Sequence, residues 1–153
     1  MKRAWVLGAL LLAAGCGHRR IPGTDIEETE DNKAIVGVMQ GYRSALEHKD
    51  AAAIVKLLAP DFHDNGGTAT PEDDLNPENV QRLLTERFSK VENLTLDMEL
   101  RKIEIQDGAA VATYFYTEHY QIPTLTSRAQ TESDLKQMTL VKVKGLWKIA
   151  SGI

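Results

Sequence analysis

"GYRSALEHKDAAAIVKLLAPDF", residues Gly41–Phe62, holds the end of one helix, the whole of a second and the start of a strand. Tyr42, Ala45 and Leu46 continue an apolar stripe begun by Ile35, Val38 and Met39, recurring every three or four residues. That period puts them on one side of an α-helix. Its start falls between Thr29 and Asn32, where Glu30 and Asp31 favour the positive end of the helix dipole. Asp50 is suited to cap a second, shorter helix with Ile54, Leu57 and Leu58 on its buried side. Pro60 ends it. "DFHDNGGT", from Asp61, then reads as a short strand or turn, because Asn-Gly-Gly readily takes the positive φ of a tight bend. Thr68 to Leu75 reads as loop.

A third helix is predicted from Asn76 as cap and Pro77 as first helical residue, with Val80, Leu83, Leu84 and Phe88 on its apolar face. Beyond Asn93 the period changes to two. Leu94, Leu96, Met98 and Leu100 alternate with polar residues, then the pattern slips and resumes at Ile103 and Ile105. The slip predicts a β-bulge near Arg101 and Lys102. "QDGA" makes a hairpin turn. Further strands are "AAVATYFYTEHYQI", "LKQMTLVKVKG" and "LWKIASG", the last two joined around Gly145. Helices first and antiparallel strands afterwards make an α+β domain.

The aromatic Tyr42, the small-Leu pair, the helix-starting Asp50 and the "DF" strand resemble the nuclear transport factor 2-like superfamily, with its SnoaL-like and ketosteroid-isomerase-like branches. The closing "VKVKGLWKIASG" is similar to that superfamily's final hairpin, in which the residues matching Trp147 and Ile149 pack inward. The resemblance runs from about Asp31 to Ile153. It implies a cone: N-terminal helices packed in a curved antiparallel β-sheet, a cystatin-like α+β arrangement. It also implies an apolar pocket at the cone's open end and a homodimer formed through the sheet's outer face.

Upstream, Lys2 and Arg3 precede an apolar stretch, Ala4 to Ala14, and a small-residue end before Cys16. This is the order of a secretory signal peptide. The stretch has roughly 11 residues, against about 20 for a membrane-spanning helix. "LLAAGC" resembles the lipobox of bacterial lipoproteins, although Ala13 stands where that family most often has leucine. The resemblance implies that residues 1–15 are removed and that Cys16 becomes the acylated N-terminus. Gly17, rather than aspartate, after the cysteine implies sorting to the outer membrane. Cys16 is the sole cysteine, so no internal disulfide forms, and an exposed free thiol is a liability in an oxidising compartment. The lipid bilayer is thus the first expected partner. Gly17 to about Glu28 reads as a flexible acidic tether reaching at most about 40 Å, and the domain as residues 29–153.

Without Lys2 and Arg3, 16 basic side chains face 22 acidic ones, a net charge of −6. That argues against a nucleic-acid partner, whose phosphates require a basic surface. His18, His48, His63 and His119 show no ligand spacing, so no metal and no other cofactor is expected. No phosphate-binding glycine loop or G-x-S-x-G elbow occurs either.

Three groups remain as candidates for chemistry. Tyr42 falls where the ketosteroid-isomerase branch carries a tyrosine that stabilises an oxyanion, counted from Asp50; on its own residues it is one more member of the buried stripe. The resemblance also requires a carboxylate base on the strand after the second helix. Gly66 occupies that place by counting, and Asp64 is displaced from it. His63 and Asp64 point to opposite faces of a strand and read as part of a solvated turn. "TYFYTEHY" puts Tyr114, Tyr116, Glu118 and Tyr120 on one face and Thr113, Phe115, Thr117 and His119 on the other. Turned inward, the tyrosines line a pocket with Glu118 as its acid; turned outward, they form a dimer patch.

The expected function is therefore a lipid-anchored envelope protein whose cone binds a small apolar ligand or an envelope protein without catalysis. The alternative is an isomerase- or dehydratase-type enzyme using Tyr42 with a pocket carboxylate or His119.

Overall fold

The computed structural model describes residues 19–66, 74–126 and 128–153. Residues 1–15, Cys16, Gly17 and most of the loop read at Thr68–Leu75 lie outside the described residues. Three helices come first: α1 (Glu30–Glu47), α2 (Ala51–Leu57) and α3 (Val80–Lys90). Four strands follow: β1 (Glu92–Gln106), β2 (Ala109–Gln121), β3 (Gln130–Val143) and β4 (Leu146–Ser151). They pair antiparallel in the order β1-β2-β3-β4. The helices pack into the concave side of this curved sheet, the α+β cone expected from the sequence.

Local chemistry sets the ends. Thr29 caps α1 by accepting from the Asn32 amide at 3.1 Å. Asp50 caps α2 by accepting from the Ala53 amide at 2.9 Å. Asn76 was expected to open α3, but its side chain instead caps the turn before it, accepting from the amides of Glu78 and Asn79. The α-helix proper starts at Val80. After α2 the chain runs alongside β4: Leu58 bridges Ile149 in parallel, and the Ala59 amide donates to the Ile149 carbonyl. That segment covers the β4 edge.

The expected bulge is present, as a register shift between Leu100 and Lys102. The β1–β2 turn places Asp107 and Gly108 at positive φ, and the β3–β4 turn does the same with Lys144 and Gly145. β3 extends five residues further towards its N-terminus than "LKQMTLVKVKG" predicted, so its first half has β2 on one side and no strand on the other. The polar residues of that half had hidden it from a search for apolar alternation.

The core joins the α1 stripe (Ile35, Met39, Tyr42, Leu46) to Ile54, Phe62, Val80 and Phe88, and to Met138, Leu140, Trp147 and Ile149 of the sheet. Asp31 ties α1 to the last hairpin, accepting from Lys142 Nζ at 2.6 Å and Trp147 Nε1 at 2.9 Å. The supposed tether is folded from Arg19 onward. Arg19 to Glu28 form a small hairpin, with an Arg20–Glu27 bridge, an Arg19–Glu28 ion pair at 2.7 Å and a buried Ile26. Backbone pairing and one buried side chain outweighed the polar composition.

Candidate functional site

Period two determines which β2 side chains share a face, and the sheet's curvature determines which face is covered. Tyr114, Tyr116 and Glu118 point into the cone and are buried. Tyr120, on the same face, is half-buried at the rim of a separate groove with Leu83 and Ile122. The tyrosine face is therefore inward, and its reading as a dimer patch is overturned. His119 is on the convex side, exposed, with Nδ1 2.9 Å from Thr131 Oγ1. It shares no cavity with Tyr42 and is removed as a partner for it.

Tyr42 and Glu118 do meet in one cavity. It encloses about 270 Å³ and is lined by Tyr42 and Leu46 of α1, Arg87 of α3, Leu96 of β1, the inward residues of β2, Glu132 and Lys136 of β3, and Ile153. A second cavity of similar size lies between the Arg19–Glu28 hairpin, α1 and β1. Its one cation, Arg43, is already engaged by Glu47 and Asp97. The cone cavity is the candidate site because its polar groups converge.

Glu118 is held from α3: Arg87 Nη2 donates to Oε1 at 2.8 Å and to Oε2 at 2.9 Å. Next along β2, the Tyr116 hydroxyl donates to Glu132 Oε1 at 2.7 Å, and Lys136 Nζ lies 4.9 Å from the Tyr116 ring centroid. The Tyr114 hydroxyl donates to the Gly152 carbonyl at 3.2 Å. Burial, followed by the charge of Asp64, pushes the Tyr114 phenol up to about 12. Burial and the Glu132 acceptor also raise Tyr116 above the ordinary phenol range. Tyr42 is raised most, by burial first and then by Tyr114. It is only 6% exposed, and its hydroxyl has no hydrogen-bond partner among the described residues. A neutral hydroxyl not engaged by the protein thus belongs to a side chain that lines the cavity.

Asp64 was read as part of a solvated turn, and the structure corrects that. It is buried, its Oδ2 accepts from the amides of Gly152 (2.6 Å) and Ile153 (2.8 Å), and its Oδ1 accepts from Gly66 (2.9 Å). It fixes the segment that contributes Ile153 to the cavity wall. His63 is exposed and pairs with Asp74 at 3.4 Å. Arg87, Glu132 and Lys136 were missed by sequence reasoning. For Glu132 and Lys136 the signal was the polar half of β3, where the two share one face at even spacing.

A family model described as "SnoaL-like domain" matches residues 35–152. The chain belongs to the SnoaL-like domain family. No match was found among curated proteins. Similar solved structures include a nuclear transport factor 2-like superfamily protein from Salmonella enterica, at 14% identity and TM-score 0.66, covering 78% of this chain and 86% of that one. A putative scytalone dehydratase from Novosphingobium aromaticivorans aligns at 15% identity and TM-score 0.68, covering 80% of each chain. A ketosteroid isomerase-like protein from Erwinia carotovora atroseptica aligns at 15% identity and TM-score 0.65, covering 82% of this chain and 98% of that one. At such identities these likenesses establish the nuclear transport factor 2-like fold of this SnoaL-like domain and leave its chemistry to its own residues.

Proposed function

We propose that this SnoaL-like domain is a lipid-anchored envelope module whose cone cavity binds a small molecule without transforming it. The observation that carries the binding is that Tyr42, which forms no hydrogen bond to another described residue, lines a cavity of about 270 Å³. Glu118 supports the absence of chemistry, because both of its oxygens are occupied by Arg87. A general base must instead be free to reach a substrate proton. The ligand's body packs on Leu46, Leu96 and Ile153.

The anchor rests on the lipobox: Cys16 carries the lipid, and Gly17 directs the protein to the outer membrane. Pairing into a homodimer is assigned to the convex face, where Phe115 and Leu135 lie opposite each other and exposed. Full-length protein purified from membranes and examined by native mass spectrometry should show an acylated Cys16 and a bound small molecule or envelope partner. An empty, monomeric, unpartnered protein would overturn this reading.

A second reading is favoured by the fact that Tyr42 and Glu118 line the same cavity, in a fold shared with a putative scytalone dehydratase and a ketosteroid isomerase-like protein. In an isomerase- or dehydratase-type reaction, Tyr42 would donate to a developing oxyanion and Glu118, released by Arg87, would accept the proton. That reading requires Tyr42→Phe to abolish turnover while the domain stays folded. Full activity in the variant would end it.

A further inference from the structure

Two hollows meet at Lys136. It lines the cone cavity, and it also lines a groove of about 610 Å³ beside the stretch of β3 that β4 leaves unpaired. His63, Asp64, Asp134 and Gly152 form other parts of that groove. Among the described residues, only Lys136 and Ile153 border both hollows.

Every carboxylate side chain around the two hollows already accepts a hydrogen bond. Glu118 accepts from Arg87, Glu132 from the Tyr116 hydroxyl, Asp134 from the Leu135 amide at 2.7 Å, and Asp64 from three amides. The cations differ. Arg87 is engaged by Glu118, and His63 faces Asp74. The Lys136 ammonium forms no hydrogen bond or ion pair with a described residue, and it lies over the Tyr116 ring, 4.9 Å from its centroid. Lys136 is half-buried. An ammonium in such a wall attracts an anion more strongly than one in bulk water.

Building on the binding reading above, we infer that Lys136 docks the charged end of the ligand, and that the ligand is a monocarboxylate with a short apolar body. The body lies in the cone against Leu46, Leu96 and Ile153, and the carboxylate accepts from Lys136 Nζ where the hollows join. A dry cavity of about 150 Å³ admits benzene, so about 270 Å³ takes a body of roughly six to eight carbons. The charge is limited to one. Lys136 is a single ammonium, and Glu132, Asp134 and Asp64 stand in the same two linings. A phosphate monoester carries close to two charges at neutral pH, and its second charge would meet only like charges here.

The test is an NMR titration of the full-length protein with hexanoate, hexanamide, hexylamine and hexyl phosphate, which share a chain and differ in charge. Hexanoate should shift the Leu46, Leu96 and Lys136 signals and bind about tenfold tighter than hexanamide. Hexylamine and hexyl phosphate should both bind more weakly than hexanoate. In Lys136→Met, with a native-like spectrum, hexanoate should fall to the level of hexanamide, and Lys136→Arg should keep the preference. If hexanamide or hexylamine binds the unaltered protein as tightly as hexanoate, the charge inference is overturned and the binding reading stands. Parity of hexyl phosphate with hexanoate would overturn the limit to one charge. A preference unchanged in Lys136→Met would overturn the role of Lys136. If none of the four enters the cone, this inference falls, and native mass spectrometry of the full-length protein decides the binding reading separately.

Discussion

Arg87, near the end of α3, holds Glu118 in the middle of β2 with a single nitrogen, 2.8 and 2.9 Å from its two oxygens. The arginine side chain is 48% exposed and the glutamate side chain 7%. The ion pair thus closes one side of the cavity and keeps a buried carboxylate compensated. Replacing Arg87 by Met should cost about 2–3 kcal/mol, less than for a fully buried pair because solvent already screens the arginine. Urea unfolding of Arg87→Met and of the double variant with Glu118→Gln checks this. The double variant should recover part of the loss, and no recovery would mean that Arg87 matters through packing alone.

Tyr42→Phe removes a hydroxyl that forms no hydrogen bond to another described residue. Stability should stay level, because no hydrogen bond within the protein is lost. Ligand affinity should fall in the same variant. A clear loss of stability would show that the hydroxyl serves the fold.

Asp64→Asn weakens a carboxylate that accepts from three backbone amides. Hydrogen bonds to a charged acceptor contribute more than neutral ones, so about 2 kcal/mol should be lost. Hydrogen exchange at Gly152 and Ile153 should accelerate well beyond the global change. Uniform acceleration would argue against a local clamp.

Gly152 has φ +86°, and a Cβ there would overlap the Gln137 carbonyl oxygen. Gly152→Ala should therefore destabilise by at least about 2 kcal/mol, from left-handed strain plus displacement of the segment held by Asp64. Ala at Gly37, where a Cβ meets nothing within 4 Å, is the control and should cost little. Thermal melts of the two variants make the comparison.

Tyr42, Tyr114 and Tyr116 all hold their protons more tightly in the fold than a free phenol does. A group whose pKa is raised by folding contributes stability that is complete below its unfolded value and is lost as pH rises towards its folded value. For Tyr114 that window runs from 10 to about 12. Stability measured across this range should fall steadily, and Tyr114→Phe should flatten the slope. A slope that Tyr114→Phe leaves unchanged would count against burial of its phenol as the cause.

Much of the fold was legible because its signals are local. The period of the α1 stripe, the Asp50 cap, the slip at Leu100–Lys102 and the Asp107-Gly108 turn each depend on residues close in sequence, and each is present. The errors arose where a distant partner decides. "DNGG" reads as a solvated turn until Gly152 and Ile153, 88 and 89 residues away from Asp64, deliver their amides. The polar N-terminal half of β3 reads as loop until β2 pairs with it.

The candidate site divides in the same way. The sequence by itself determined that Tyr114, Tyr116 and Glu118 share a face and that His119 is on the other, because side chains alternate along any strand. It determined the α+β order and placed Tyr42 on the buried stripe of α1. Only the tertiary structure decided that the tyrosine face turns inward, that Arg87 from α3 claims Glu118, and that Lys136 and Glu132 join through Tyr116. Alternation has no preferred side until a sheet curves around its helices. Charges separated along the chain have no partner until that curvature brings their elements into contact.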